Sequence, residues 1–318
     1  MTKILDKTTI DKIINEASHE DLITYIEKAF TAYSSHNAIV PPVGSLTFND
    51  PPGDMHIKYG YVRDDAHYVV KIASGFYKNP ALGLSSSNGL SLVFNQKNGV
   101  LETILLDEGS LTNIRTAVAG AIVAKYMAPK NVKAIGIIGS GIQARLQLKY
   151  LKNIVNCTKV IVWGIDSNAL QSYKEEMSKE GFDIEIASES KRLVRECNLI
   201  ITTTPSESAI IFADDIQKGT HITAVGADTH GKQELDMAIL EKAGLIVVDS
   251  LKQCRAHGEI HKAVNAGLLD NHQIIELGDV VFSGGIPGKD DDITVADLTG
   301  IATQDIQISN FVLNQLSE

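Results

Sequence analysis

The sequence has few of the features that define disulfide-bonded or membrane-spanning proteins. Its three cysteines, Cys157, Cys197 and Cys254, lie far apart and form no CxxC pair, which argues against a disulfide framework or a zinc site. No apolar run approaches the roughly 20 residues that a membrane-spanning helix needs. Residues 1–12 lack the apolar stretch of a secretory signal. We therefore expect a cytoplasmic protein with no membrane partner.

Clustered positive charge is also missing. The 318 residues carry 29 Lys and Arg against 39 Asp and Glu, which gives a formal net charge of -10. Nucleic-acid binding needs clustered Lys and Arg to neutralise phosphates, so we expect small-molecule partners and no nucleic acid. Arginine is scarce, with six in the chain, and each one that could hold a carboxylate is easy to follow.

Before residue 115 the pattern is a mixture of helix and strand. Ser18 and Asp21 resemble a capping box, and apolar residues at helical spacing predict a helix over 19–35. Alternating apolar residues predict strands at 67–74, 90–95 and 100–106, the last two joined by a hairpin at the Asn-Gly pair of 96–99. Ser110 is the predicted cap of a long helix that follows.

After residue 115, short apolar strands alternate with helix-length segments. The candidate strands are 134–138, 159–163, 183–187, 198–204, 221–226 and 245–249. This rhythm predicts an α/β fold with a Rossmann-type doubly wound parallel sheet, inserted in a mixed α+β domain. The predicted domains are 116–294 for the sheet and 1–115 plus 295–318 for the mixed domain. Residues 294–316 are predicted to be helical.

The first strand of this sheet continues directly into a glycine-rich loop that opens a helix, the context of a dinucleotide-binding fingerprint. Gly139 would allow the tight turn, Gly141 would let the backbone approach a pyrophosphate, and Ala144 is small enough for helix–strand packing. The alternative is that these glycines simply end a strand. The candidate cofactor-binding residues here are Gly139, Ser140, Gly141, Ile142, Gln143 and Ala144.

Further cofactor contacts are expected where later strands end, because ligands of open α/β sheets lie outside the carboxyl ends of the strands. Thr203, Thr204 and Pro205 follow the fourth strand, and Gly226 follows the fifth. Asp166, beyond the second strand, could hold the ribose hydroxyl of NAD, which favours NADH slightly over NADPH. An equally good reading of Asp166 is a helix N-cap.

Three charged residues are candidates for substrate chemistry, each with a plainer alternative. Asp228 could exchange a proton with a substrate or hold its ammonium or iminium charge, or it could be a turn aspartate. Lys71, in the middle of a strand, could line an anion pocket or protect an edge strand. Arg115 could fork a carboxylate or form a surface ion pair. No metal is expected, since His257 and His261 do not match a zincin pattern.

Five motifs, in this order, resemble the ornithine cyclodeaminase and mu-crystallin family over nearly the whole chain. They are VVKIASGFYKNP, LTNIRTAVAGAIVAKYMA, IGIIGSGIQA, TTTP and VGADTHGKQELD. The resemblance implies an NAD(P)-dependent enzyme of amino and imino acids that forms a homodimer. It also implies a discontinuous substrate-binding and dimerisation domain with an inserted cofactor domain. It also implies that Lys71 and Arg115 hold the substrate carboxylate and that Asp228 and Lys71 are catalytic.

Within the family, the segment 55–61, GFYKNP and 90–106 are more similar to the branch that reduces 1-pyrroline-2-carboxylate to proline. No arginine precedes Arg63, and Lys58 stands where ornithine-processing members carry an acid. We therefore predict an NAD(P)H-dependent ketimine reductase whose substrate is a small anionic imino acid, with His56 and Lys58 also in the site. The alternatives are ornithine cyclodeamination, an alanine-type dehydrogenase, and a mu-crystallin-like binding protein without useful catalysis.

Overall fold

The structure is a computed structural model that describes residues 2–76, 78–269, 274–285 and 291–316. The chain divides into two compact units. We call Met1–Arg115 with Ile301–Glu318 the terminal unit, and Thr116–Gly300 the central unit. The central unit therefore ends six residues after the predicted boundary at 294, which would cut through a strand.

The secondary structure is numbered in chain order. The helices are α1 Lys7–Glu16, α2 His19–Ser34, α3 Ser110–Met127, α4 Ile142–Leu151, α5 Ser167–Lys179, α6 Ser190–Glu196, α7 Met237–Lys242, α8 Leu251–His257, α9 Ile260–Asn265, α10 Leu277–Phe282 and α11 Ala302–Gln315. The strands are β1 Lys3–Asp6, β2 Ala38–Ile39, β3 Gly44–Asn49, β4 Pro52–Val62, β5 His67–Gly75, β6 Ser87–Asn95, β7 Leu101–Leu106, β8 Ile135–Ile138, β9 Lys159–Trp163, β10 Asp183–Ile186, β11 Leu199–Thr202, β12 His221–Ala224, β13 Leu245–Val248, β14 Ile274–Glu276 and β15 Thr294–Asp297.

The terminal unit is built on a seven-stranded sheet in the order β1-β7-β6-β5-β4-β2, with β3 also paired to β4. All pairs are antiparallel except β1 with β7. Helix α11 packs on β4 and β5, and α2 packs on α11. Because side chains alternate along a strand, this arrangement buries Val69, Lys71, Val93 and Leu105 on the helix-covered face.

Local signals in the terminal unit were predicted well, with one exception. The Ser18 side chain caps α2 by accepting from the Asp21 N–H at 3.1 Å, and the loop after β6 forms the hairpin, with Gly99 at φ +73°. The predicted Ser110 cap is wrong, because Ser110 is already the first residue of α3. The carboxylate of Asp107 accepts the Leu111 N–H instead, at 3.0 Å.

The central unit contains the predicted doubly wound parallel sheet, in the order β10-β9-β8-β11-β12-β15-β13-β14. All six predicted strands are present, and β14 and β15 extend the sheet to eight. Successive residues of β8 lie in different buried clusters, with Ile137 in one and Ile138 in the other. Both faces of the sheet are therefore covered by apolar packing, as parallel sheets require. The predicted fold class is confirmed.

The prediction of one helix over 294–316 is wrong at its start. Thr294–Asp297 is strand β15, which inserts between β12 and β13 and buries Val295 and Ala296 completely. A turn at Gly300, φ +80°, separates this strand from α11. A four-residue segment with two apolar residues carries too little periodicity to distinguish strand from helix. Among the described residues, no helix is long and apolar enough to cross a membrane.

Candidate active site

A buried cluster of charge lies in the terminal unit, where β5, α3 and α11 contribute one residue each. Lys71 Nζ donates to Asp305 Oδ1 at 2.9 Å, and Arg115 Nε lies 3.3 Å from the same oxygen. Arg115 Nη1 also donates to the side-chain oxygen of Gln304 at 3.1 Å. Lys71, Arg115 and Asp305 are 5%, 7% and 2% exposed. Two cations thus converge on one carboxylate away from bulk water.

The other two predicted substrate residues share this face of the sheet. Lys58 on β4 pairs directly opposite Lys71 on β5, and His56, two residues earlier, pairs opposite Ala73. Like charges opposite each other on neighbouring strands destabilise a sheet unless an anion lies between or beside them. The structure therefore places Lys58, Lys71 and Arg115 around Asp305, whereas His56 shares the sheet face and lies 3.6 Å from Asp54 Oδ1.

The electrostatics of the cluster follow from burial and from this excess of cations. Burial lowers the pKa of Lys71, against the attraction of Asp305. Burial alone would raise the pKa of Asp305, but Lys71, Arg115 and Lys58 hold it below its ordinary value. Burial raises the pKa of nearby Asp107 to about 6. A carboxyl with a pKa of about 6 is mostly ionised at pH 7, so Asp305 and Asp107 are two anions facing the three cations Lys58, Lys71 and Arg115.

Two of the plainer alternatives for these residues are wrong. β5 lies between β4 and β6, so Lys71 does not protect an edge strand. Arg115 is buried, so it does not form a surface ion pair. Asp305 and Gln304 were not predicted, because they lie in a helix with many polar residues and their partners are more than 180 residues away in the sequence.

The predicted glycine-rich loop of the central unit has the shape that a dinucleotide site needs. Gly139 adopts φ +110°, and a Cβ there would lie 2.5 Å from Thr203 Oγ1. Gly141 is the N-cap of α4, and a Cβ there would meet nothing within 4 Å. The exposed helix N-terminus therefore has open space for an anion. Ser140, Ile142 and Gln143 line this turn, while Ala144 is fully buried against the sheet.

Asp166 is the N-cap of α5, as the plainer reading held. Its Oδ1 accepts the N–H groups of Asn168 and Ala169 at 2.9 and 3.0 Å. Both bonds use the same oxygen, so the cap leaves Oδ2 able to accept a hydrogen bond from a ribose hydroxyl. The residues of this unit thus fit a dinucleotide at the carboxyl ends of β8 and β9.

The loops after β11 and β12 are joined by a residue that the sequence analysis did not single out. Glu234 accepts from Thr204 through Oε1 and from Thr202 and Gly226 through Oε2. Burial raises the pKa of Glu234 to about 7, and these donors oppose that rise. Thr203 Oγ1 bonds back to the Ile138 carbonyl at 3.0 Å. These hydrogen bonds connect the carboxyl ends of β8, β11 and β12. The predicted cofactor residues Thr203, Thr204, Pro205 and Gly226 lie in the loops that follow β11 and β12.

Asp228 follows Gly226 in the same loop and has an exposed side chain. Its Oδ1 accepts from Lys232 Nζ at 2.6 Å, and its side chain is 50% exposed. This geometry agrees with a turn aspartate and leaves its carboxylate accessible to a ligand.

Among the described residues, no group of three His, Cys, Asp or Glu side chains could hold a metal ion.

Comparison with known proteins gives a consistent result. Iminosuccinate reductase from Paracoccus denitrificans is 38% identical over 91% of this chain and 89% of its own length. An archaeal alanine dehydrogenase dimer with bound NAD has a TM-score of 0.90 at 31% identity, covering 99% of this chain and 96% of that one. The Thermococcus litoralis Delta(1)-pyrroline-2-carboxylate reductase, solved with NADH and L-proline, has a TM-score of 0.92 at 26% identity, covering 99% and 98%.

The family model described as ornithine cyclodeaminase/mu-crystallin matches residues 6–318. The match includes both the buried cation cluster and the glycine-rich loop. The chain belongs to the ornithine cyclodeaminase/mu-crystallin family.

Proposed function

We propose that this protein is an NAD(P)H-dependent reductase of small cyclic imino acids, with 1-pyrroline-2-carboxylate as the substrate and L-proline as the product. The observation that carries the proposal is the excess of one positive charge in this cluster of the terminal unit. Buried Lys71 and Arg115, with half-buried Lys58, outnumber the two carboxylates Asp305 and Asp107. Such a cluster favours a ligand with one further negative charge.

The charge of the cluster also separates the candidate substrates. A cyclic ketimine carboxylate has one carboxylate and no distal ammonium, so it adds one negative charge beside the three cations. Ornithine would bring a second ammonium group toward Lys58, and like charges at close range repel. We therefore favour the reductase over the cyclodeaminase.

In this proposal each residue has a defined role. Lys71 and Arg115 hold the substrate carboxylate, and His56 and Lys58 line the same face of the sheet. The cofactor, held by Gly139 to Ala144 and by the loops after β11 and β12, supplies a hydride to the imine carbon when bound. Asp228 stabilises the protonated imine and exchanges the proton of its nitrogen. Fixing the substrate carboxylate would also contribute through orientation.

The function is tested by following reduced nicotinamide absorbance with purified protein, NADH or NADPH, and 1-pyrroline-2-carboxylate. We expect one reduced cofactor to be consumed per proline formed. A parallel reaction with ornithine and NAD, assayed for ammonia, should give none. Ammonia release without net cofactor consumption would replace the reductase by a cyclodeaminase, and tight binding with no turnover in either reaction would favour a binding protein.

The catalytic role of Asp228 is tested by Asp228→Asn, which keeps the size of the side chain but removes its charge and its basicity. We expect kcat to fall at least 100-fold, as is common for general acid–base residues, with little change in the Kd for NADH. An unchanged kcat would remove Asp228 from the mechanism.

We also propose that the protein is a homodimer that pairs through the open face of the terminal sheet. Val70 pairs opposite Leu92, and Leu92 opposite Ile104. These apolar residues lie on central strands and point away from the face that α11 covers. Their side chains are only half-buried. A broad apolar sheet face of this kind normally marks an interface. Light scattering of the wild type should give twice the monomer mass. The Leu92→Asp variant should give the mass of a single monomer.

A further inference from the structure

Glu234 has an unusual position for an acidic residue. It is 0% exposed, and its carboxylate lies between the loop after β11 and the loop after β12. Oε1 accepts the Thr204 N–H at 2.6 Å and the Thr204 hydroxyl at 2.7 Å. Oε2 accepts the Thr202 hydroxyl at 2.7 Å and the Gly226 N–H at 3.0 Å. Each oxygen therefore holds one backbone N–H and one hydroxyl.

The surroundings leave Glu234 little freedom to move. A Cβ on Gly226 would lie 2.2 Å from the Thr204 carbonyl oxygen and 2.3 Å from Glu234 Oε2. The backbone of Glu234 is held in turn by Glu259, whose Oε1 accepts the Glu234 N–H at 2.8 Å and whose Oε2 accepts the Leu235 N–H at 2.9 Å. The distance between the two loops is thus set by the buried side chain of Glu234, whose backbone is held by Glu259.

The sheet order relates these loops to the two halves of a dinucleotide. β9 and β10 lie to one side of β8, and β11 and β12 lie to the other, so the order reverses between β8 and β11. A dinucleotide binds across such a switch point. With the pyrophosphate at Gly141 and the adenosine ribose near Asp166, the loops that Glu234 joins fall on the nicotinamide side.

We propose that Glu234 is a positioning residue that holds the Thr204 and Gly226 loops in the arrangement that receives the nicotinamide half of the cofactor. This inference rests on the proposed function, since it assumes that the glycine-rich loop binds NAD(P)H. Glu234 is buried beneath the loops and acts through them. It is neither a proton donor to the substrate nor a cofactor ligand.

Glu234→Gln tests the inference because its effect can be derived. The Thr202 and Thr204 hydroxyls can rotate to accept from an amide, but a backbone N–H can only donate. In either orientation of the glutamine amide, its NH₂ group faces one of the two backbone N–H groups, of Thr204 or of Gly226. One loop therefore loses an acceptor for a backbone N–H, which is costly when the group is buried.

Asp297→Asn is the matched control. Asp297 is 1% exposed, and burial raises its pKa to about 7, as for Glu234. Its carboxylate accepts the Ile260 N–H at 3.1 Å and also the Glu259 N–H. It therefore shares the Glu259 support of Glu234, but it makes no hydrogen bond to Thr204 or Gly226 among those found in the described residues. The substitution removes a buried acid of the same unit without disconnecting the two loops.

The experiment is isothermal titration calorimetry of the full-length protein with NADH and, separately, with ADP-ribose, which lacks the nicotinamide. If the wild type prefers NADPH, the pair is NADPH and 2′-phospho-ADP-ribose. We expect Glu234→Gln to weaken cofactor binding about 10-fold or more, a factor that corresponds to about 1.4 kcal/mol, and to change ADP-ribose binding less than twofold. Asp297→Asn should leave the ratio of the two affinities unchanged.

Equal weakening of both ligands by Glu234→Gln would show a structural role only and would overturn the inference, as would the same change of ratio in Asp297→Asn. If Glu234→Gln does not fold, Thr202→Val removes one bond to the same carboxylate from a residue that is itself fully buried. It should change the ratio in the same direction by a smaller factor. A wild type that binds neither ligand would instead refute the proposed function.

Discussion

Two buried carboxylates, one in each unit, have opposite surroundings. In the terminal unit Asp305 is flanked by Lys71 and Arg115, and these cations hold its pKa below the ordinary value. In the central unit Glu234 is surrounded by backbone N–H groups and hydroxyls, and burial raises its pKa to about 7. The comparison shows that neighbouring cations keep one buried carboxylate ionised, whereas neutral donors leave the other with a raised pKa and link it to the backbone of two loops.

The largest effect that this comparison predicts is on the stability of the terminal unit. Asp305→Asn leaves Lys71 and Arg115 buried without their shared anion, so we expect the free energy of unfolding to fall by about 3–5 kcal/mol. Urea denaturation at neutral pH measures the change. Asp11→Asn is the control, because its ion pair with Lys7 is partly exposed and such pairs contribute at most about 1 kcal/mol. Equal losses in both variants would contradict a special role for the buried pair.

A second, smaller effect concerns the pH dependence of stability. Because the pKa of Glu234 is raised from 4.5 to about 7 on folding, the folded state binds more protons than the unfolded state between these values. Its stabilising contribution is present below the unfolded pKa and is lost as pH rises toward 7. The wild type should therefore lose stability between pH 4.5 and 7, by up to about 3 kcal/mol from this residue.

Glu234→Gln should have a correspondingly flatter profile, which urea denaturation at pH 5 and pH 7.5 would detect. Asp305 should act in the opposite sense. Its contribution is present above the unfolded pKa and is lost as pH falls through its lowered folded pKa. Parallel pH profiles for the wild type and Glu234→Gln would mean that Glu234 does not titrate as its surroundings indicate.

The smallest predicted effect is a difference in stability between alanine variants of two glycines, Gly141 and Gly226, in the predicted cofactor loops. Gly141→Ala should change the free energy of unfolding by less than about 1 kcal/mol, because a Cβ there meets nothing within 4 Å, yet it should weaken NADH binding by crowding the pyrophosphate. Gly226→Ala should cost more stability, because its Cβ collides with Thr204 and Glu234. Thermal unfolding and calorimetry of both variants measure this contrast, and equal stability losses would contradict it.

The sequence predicted what depends on local pattern or on a compact motif. The turn at Gly139, the strands of the central sheet and the cap at Ser18 each rest on residues that are neighbours in the chain. The placement of Lys71 and Arg115 in one cluster came from the family resemblance. Their shared partner Asp305 could not be predicted, because α11 reaches β5 only through tertiary packing. Strand β15 was missed for the same reason, since its partners β12 and β13 are far away in the sequence.

The fate of the transferred hydrogen tests the proposed reduction most directly. The purified enzyme would be incubated with 1-pyrroline-2-carboxylate and with NADH or NADPH that carries deuterium at both C4 positions, and the product would be analysed by mass spectrometry and NMR. We predict L-proline with one deuterium at C2 for each cofactor oxidised. Cofactor oxidation without deuterium at C2, or no reduction of the imine at all, would contradict the proposal that this protein is a ketimine reductase.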